Sequence, residues 1–169
     1  LTLLVEGTLI IALYNAFLFV GQQGVTSGVA AILVGVSPLL STGFARLFLP
    51  AERLTVVGAG GLAVGFLGVV LVARPSPAAL AGGATLSSAL VVLAAAAVAL
   101  GSVLVQRLDG DISSEGMVAW STALGAALLH AISVGVAGES PAAADLTPRS
   151  VVAVVYLAVF ASAVGYVVY

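Results

Sequence analysis

Apolar residues run along this chain in six long blocks, about residues 1–21, 26–48, 54–73, 86–106, 117–137 and 150–169. Each is close to the roughly 20 residues that a helix needs to cross the core of a bilayer. Between them lie short polar stretches, GQQG, LPAER, ARPSPAALAGGAT, QRLDGDISSE and GESPAAADLTPR. These hold most of the charges and five of the six prolines, as suits places where the backbone meets water. The blocks lack the polar outer faces that a soluble bundle requires. The pattern predicts an all-α, polytopic transmembrane helix bundle with six spanning helices in this stretch.

The chain is organised around residues 25–54, where an apolar run carries a proline in its middle and the charged turn Glu52-Arg53 at its end. Pro38 removes its own N–H and leaves the carbonyl of Val34 without its usual helical partner. An unpaired carbonyl is costly in lipid, so such a kink is expected to face protein or a wet cavity. Gly35 adds backbone freedom, and Ser37 adds a hydroxyl able to satisfy the freed carbonyl. Two readings stand: a proline tolerated in a tightly packed helix, or a hinge or substrate-facing bend.

Composition sets the solvent. Hydrophobic residues make up 62% of the 169 and charged residues 7%, with a mean hydropathy of +1.27. A soluble domain carries about 25% charged residues, so this chain belongs in the lipid bilayer. With no cysteine, disulfides and thiolate metal sites are excluded, and the net charge of −2 implies no nucleic-acid partner. All the basic residues are Arg. Arg46, Arg53 and Arg107 lie in or beside the second and fourth loops, against Arg74 and Arg149 in the others. That excess puts the 46–53 and 107–115 turns, and Leu1, on the cytoplasmic side. The sequence opens without Met inside one apolar run and stops at Tyr169 inside another, so it is expected to be an internal piece of a longer protein with no cleavable signal.

Polar residues at membrane depth are the candidates for chemistry. Thr8, Asn15 and Gln22 recur every seven residues on one face of the first helix, with Tyr14 beside Asn15. An amide in hydrocarbon demands partners, so this stripe either lines a solute path or ties helices together. Glu6 is a proton or ion site if it lies inside the membrane, and a snorkelling headgroup-level residue if not. His130, the single histidine, either couples protons to transport or bonds a neighbouring backbone carbonyl. Ser162, Gly165, Tyr166 and Tyr169 share one face of the last helix and line a cavity or pack closely. Trp120 reads as an interfacial anchor. Gly58, Gly61, Gly65 and Gly68, and Ala94–Ala97 with Gly101, let helices approach closely, within the chain or in a homodimer. The first and last spans share small residues followed by an aromatic patch, in TLIIALYNAFLFV and AVFASAVGYVVY. Being five segments apart, they cross in opposite directions, as an inverted-topology repeat requires.

No phosphate loop, metal-spaced His and carboxylate cluster or nucleophile–base pair is present in the sequence, so neither an enzyme nor a metal or cofactor is expected. Asp109, Asp111 and Glu115 lack the spacing of a calcium loop and read as a solvated turn.

The aromatic first helix, the small-residue start of the second, Ser37-Pro38, the Glu52-Arg53-Leu54 turn and the GxxxGFxGV pattern at Gly61–Val69 together resemble the EamA-type domain of the drug/metabolite transporter superfamily. The likeness is good over about 12–73 and weaker over 86–169, where VLVQR and FASAVGYVVY resemble a second copy. It implies ten helices in two inverted halves, of which this stretch holds the third to the eighth. Residues 1–74 would be the C-terminal part of the first repeat, 75–85 a linker and 86–169 the N-terminal part of the second. By the same resemblance the protein is a secondary transporter in the cytoplasmic membrane. It would move small metabolites, amino acids or drug-like molecules by alternating access through a central cavity. Tyr14, Asn15, Ser37, Pro38, Ser102, Ser162 and Tyr166 would line the path, with Glu6 and His130 as proton-coupling candidates. Where this family often has an aromatic, the fourth span here reads AAAAVALGS, which would widen the cavity. The alternative function is a non-transporting membrane scaffold or assembly subunit.

Overall fold

The computed structural model describes residues 1–49, 55–73, 85–108, 113–140, 142 and 146–164, and every element among them is helical. Helix α1 spans Thr2–Gln22 and α2 spans Ser27–Phe48. Helix α3 covers Val56–Ala73, α4 Thr85–Leu108 and α5 Ser114–Gly135. The last, α6, is α-helical over Pro148–Tyr156 and continues with π-type turns over Leu157–Val164. Helices α1, α2 and α5 and the Leu86–Leu108 part of α4 are each long and apolar enough to cross a membrane. In α3 and α6 the apolar stretches among the described residues are shorter, Val56–Gly68 and Pro148–Phe160. The molecule is a multi-pass membrane helix bundle.

Helix starts follow hydroxyl caps more closely than hydropathy. Thr26 Oγ1 accepts from the Val29 N–H, Thr55 Oγ1 from Gly58, Ser113 Oγ from Gly116 and Thr147 Oγ1 from Ser150. Each satisfies an amide that the first helical turn leaves free. The fifth and sixth helices accordingly begin at Ser114 and Pro148, a few residues before their apolar blocks.

Helix α4 is the centre of the bundle. Val91, Ala94, Ala95, Ala97, Ala99 and Val103 are buried on it, and α1 and the second half of α2 pack against it. Among the described residues neighbouring helices close onto the alanine run: Ala94 and Ala95 are 0% exposed. Without bulk beyond Cβ, the facing backbones come near enough to fill the space themselves.

Glycines set the two crossings of α1. A Cβ on Gly101 would lie 2.6 Å from the Ile10 Cγ1, and one on Gly21 would lie 2.8 Å from the Ser87 carbonyl. These contacts pair the two ends of α1 with opposite ends of α4, so the two run antiparallel. On the other side, Gly7 meets Ser121 and Leu124 while Gly125 meets Ile11, so α1 and α5 run parallel. The Arg107 guanidinium lies 5.9 Å from the centre of the Phe48 ring and joins the C-terminal ends of α2 and α4. This gathers Arg46, Arg107 and the N-termini of α1 and α5 at one end of the bundle.

The small residues of α3 behave differently. Nothing lies within 4 Å of a Cβ placed on Gly60, Gly61, Gly65 or Gly68, although α3 does pack on the first half of α2. Intramolecular packing through the GxxxG pair is therefore not found among the described residues. Helix α6 is exposed at every position from Val151 to Phe160, with Tyr156 and Phe160 stacked on each other at 5.2 Å.

Candidate functional site

The proline of α2 breaks the helix instead of bending it. One helical piece, Ser27–Val34, ends at Gly35, and a second, Ser37–Phe48, starts with Pro38 in its first turn. There the missing N–H costs nothing. The orphaned Val34 carbonyl accepts a 2.6 Å hydrogen bond from the Ser37 hydroxyl, the group expected to satisfy it. Ser37 is half-buried, whereas Pro38 and Leu39 turn outward from the described helices.

Asn15 also serves its own helix. Residues Glu6–Leu13 of α1 wind as π-type turns, and the Tyr14 N–H reaches back to the Leu9 carbonyl. Where this wider register returns to α, the Asn15 Nδ2 donates to the Ile11 carbonyl at 2.7 Å. Ser102 does the same in α4, donating to the Val98 carbonyl at 2.8 Å. Asn15, Ser37 and Ser102 keep these bonds within their helices and are part-buried, and Tyr14 is half-buried beside Asn15.

Glu6 opens the π-type stretch, half-buried, beside the close contact of Gly7 with Ser121 on α5. Its Oε2 is shut off from solvent and has no hydrogen-bond partner among the described residues. The side chain of Ser162, together with Tyr166, Gly165 and Tyr169, lies outside the described residues. So do the Glu52-Arg53 turn, Arg74, Asp109 and Asp111.

A cleft of about 380 Å³ opens between the C-terminal halves of α1 and α5. Ala16, Phe19, Val20 and Gln23 form one wall at i, i+3, i+4 and i+7 of α1. The other holds Ala126, Leu129, His130, Ile132 and Ser133 of α5, then Ala137 and Glu139 just past its end. Of the residues singled out from sequence, His130 alone lines this cleft. It is exposed there, and a bond from it to a backbone carbonyl, one of its two readings, is not found among the described residues. Its companions escaped the sequence reading because Glu139 lies in the polar stretch after the helix. The signal was available: Glu139 follows Gly138, a residue suited to turning a chain back onto its helix end. In the structure Gly138 has φ +68°, and Glu139 bonds Ser133 through both backbone and side chain. No group of three or more His, Asp or Glu able to hold a metal occurs among the described residues.

The chain is similar to a WAT1-related chloroplastic protein of Arabidopsis thaliana, with 30% identity over 163 residues, covering 92% of this chain and 38% of that protein. A second similarity, 33% identity over 66 residues, is to a protein of Archaeoglobus fulgidus described as an uncharacterized transporter, covering 39% of this chain and 24% of the relative. The chain thus spans well under half the length of either. No protein-family model matches it, and no solved structure matches it.

Proposed function

We propose that the chain is the middle of an EamA-type secondary transporter that moves small metabolites across a membrane by alternating access. The observation that carries this reading is similarity along 92% of the chain to the WAT1-related protein, with the uncharacterized transporter of Archaeoglobus fulgidus as a second match. The motifs of residues 12–73 support the finer family assignment. Antiparallel α1 and α4 and parallel α1 and α5 are what alternating spans require, which supports six crossings, the third to the eighth of ten. On this reading residues 1–74 and 86–169 belong to two inverted repeats, and the Arg46 and Arg107 end is cytoplasmic. The two-part α2 and the π-type stretch of α1 are backbone irregularities of the kind transporters place around their solute path. On this reading the energy comes from a solute, proton or ion gradient.

Tyr14, Asn15, Ser37, Pro38, Ser102, Ser162 and Tyr166 are the proposed path, with Glu6 and His130 coupling protons. The test is counterflow uptake of a labelled amino-acid and metabolite pool by the full-length protein in proteoliposomes, with and without a pH gradient. Saturable uptake is expected. Asn15→Ala should lower its rate about fivefold, on the order of 1 kcal/mol, with membrane insertion unchanged. Glu6→Gln should remove any response to the pH gradient. Folded protein that takes up nothing from a broad pool would favour the scaffold function instead.

A further inference from the structure

We propose that the cleft between α1 and α5 binds an organic ammonium carried on a small apolar body. The inference names a solute class for the transporter reading and rests on that reading for translocation, though not for binding.

Charge decides the class. Glu139 is the one charged side chain among the residues that line the cleft. Its place is built, not accidental. Gly138 turns the chain at φ +68°, and the Glu139 N–H then donates to the Ser133 carbonyl at 3.0 Å. The glycine reverses the chain past the helix end and lays the residue after it back along the last turn. The Ser133 hydroxyl donates to the Glu139 Oε2 and holds the carboxylate on the cleft side. Because α1 and α5 run parallel, the cleft lies toward the C-terminal ends of both. Each end carries a partial negative charge, so the helices add to the field of the carboxylate.

The polar groups also match in kind. An ammonium offers N–H donors and needs acceptors. Glu139 supplies carboxylate oxygens, Gln23 an amide oxygen and His130 an imidazole nitrogen. The field of Glu139 and the two helix ends disfavours an anion. Beneath this rim the walls are apolar, formed by Ala16, Phe19, Ala126 and Leu129 among others. At about 380 Å³ the cleft lies within the usual size range of small-molecule sites. The ammonium belongs either to a free amphipathic amine or to an aminophospholipid headgroup, and the chemistry of recognition is shared.

Equilibrium binding of radiolabelled phenethylamine to the full-length protein in detergent tests the proposal. Unlabelled amine should displace the label, while phenethyl alcohol and phenylpropionate at equal concentration should not. Glu139→Gln is expected to weaken binding at least about tenfold, equivalent to about 1.4 kcal/mol. Ala126→Leu, which fills the apolar wall, should weaken it as well. Glu115→Gln, at the start of α5 and so at its other end, should leave it unchanged. Binding to Glu139→Gln equal to that of the parent, or displacement by the alcohol as strong as by the amine, would overturn the proposal. In nanodiscs, displacement by phosphatidylethanolamine but not phosphatidylcholine identifies the lipid headgroup as the occupant; no displacement by either identifies a free amine. Amine binding without uptake of any solute would keep the site and remove the transporter reading. Uptake of solutes by protein that does not bind the amine would do the reverse.

Discussion

Gly125→Leu should prevent the bundle from assembling, while Gly61→Leu and Gly65→Leu should leave it intact. All three add the same side chain to a glycine in a membrane helix, so intrinsic propensity and hydropathy change equally. Surroundings make the difference. A Cβ at position 125 would lie against Ile11 and 2.7 Å from the Gly7 carbonyl oxygen. The nearest Ile11 atom is its Cβ, which no rotamer moves, and the Gly7 carbonyl belongs to a helix backbone, so neither can retreat. The α1–α5 crossing must therefore open by several tenths of an ångström, and α1 is also held at Gly101 on its other side. Overpacking a close-packed site typically costs about 1–3 kcal/mol, and a backbone obstacle puts this one at the upper end or beyond. The monodisperse fraction in detergent and the thermal unfolding midpoint would read the effect. A Gly125→Leu protein as stable as the parent would refute the crossing. Gly61 and Gly65 meet nothing within 4 Å among the described residues, so their leucine variants should match the parent.

Ser37→Ala should destabilise the middle of α2, and adding Pro38→Ala should restore it. The Ser37 hydroxyl bonds the Val34 carbonyl, which lost its partner to the proline. Removing the hydroxyl leaves a buried or lipid-facing acceptor unpaired, at about 1–3 kcal/mol. An alanine at 38 returns an N–H to the place where the helix expects one, so the hydroxyl is no longer needed. The double variant should then melt near the parent and carry one continuous helix over Ser27–Phe48. Amide hydrogen exchange at residues 38 and 39 would separate the cases, since the double variant alone gains a protected amide at 38. Equal stability of Ser37→Ala and the parent would mean that water or another group satisfies Val34.

The Val34–Ser37 bond was legible in the sequence because it follows from one rule about one residue type. Four of the spans, α1, α2, α4 and α5, were legible for a similar reason, since hydrophobicity along the chain is what the bilayer selects. The fate of the small residues was not. Gly61 and Gly65 carry the stronger packing motif, yet the tight contacts fall on Gly7, Gly21, Gly101 and Gly125. Spacing tells which residues permit a close approach, not which helix comes. Asn15 shows a second limit. Its amide was open to lining a solute path or tying helices together, and its Nδ2 bonds the Ile11 carbonyl four residues back, where the π-type turns end. That winding leaves no mark in the residue pattern of EGTLIIAL. His130 was visible as a titratable group, but its cleft depends on Glu139 folding back over the helix end, a contact made by a loop.

The self-contained bond of Asn15 also bears on how the protein is made. Helix α1 leaves the ribosome before α2 to α5, and the helices that clasp it, α4 and α5, are synthesised only after α2 and α3. Until then α1 must rest in the bilayer without those neighbours, its mid-span amide facing acyl chains. An asparagine that relied on another helix would be stranded during that interval and would pull the segment back toward the translocon. One already bonded to Ile11 keeps one of its N–H donors satisfied from the moment the helix forms, so membrane entry need not wait for assembly.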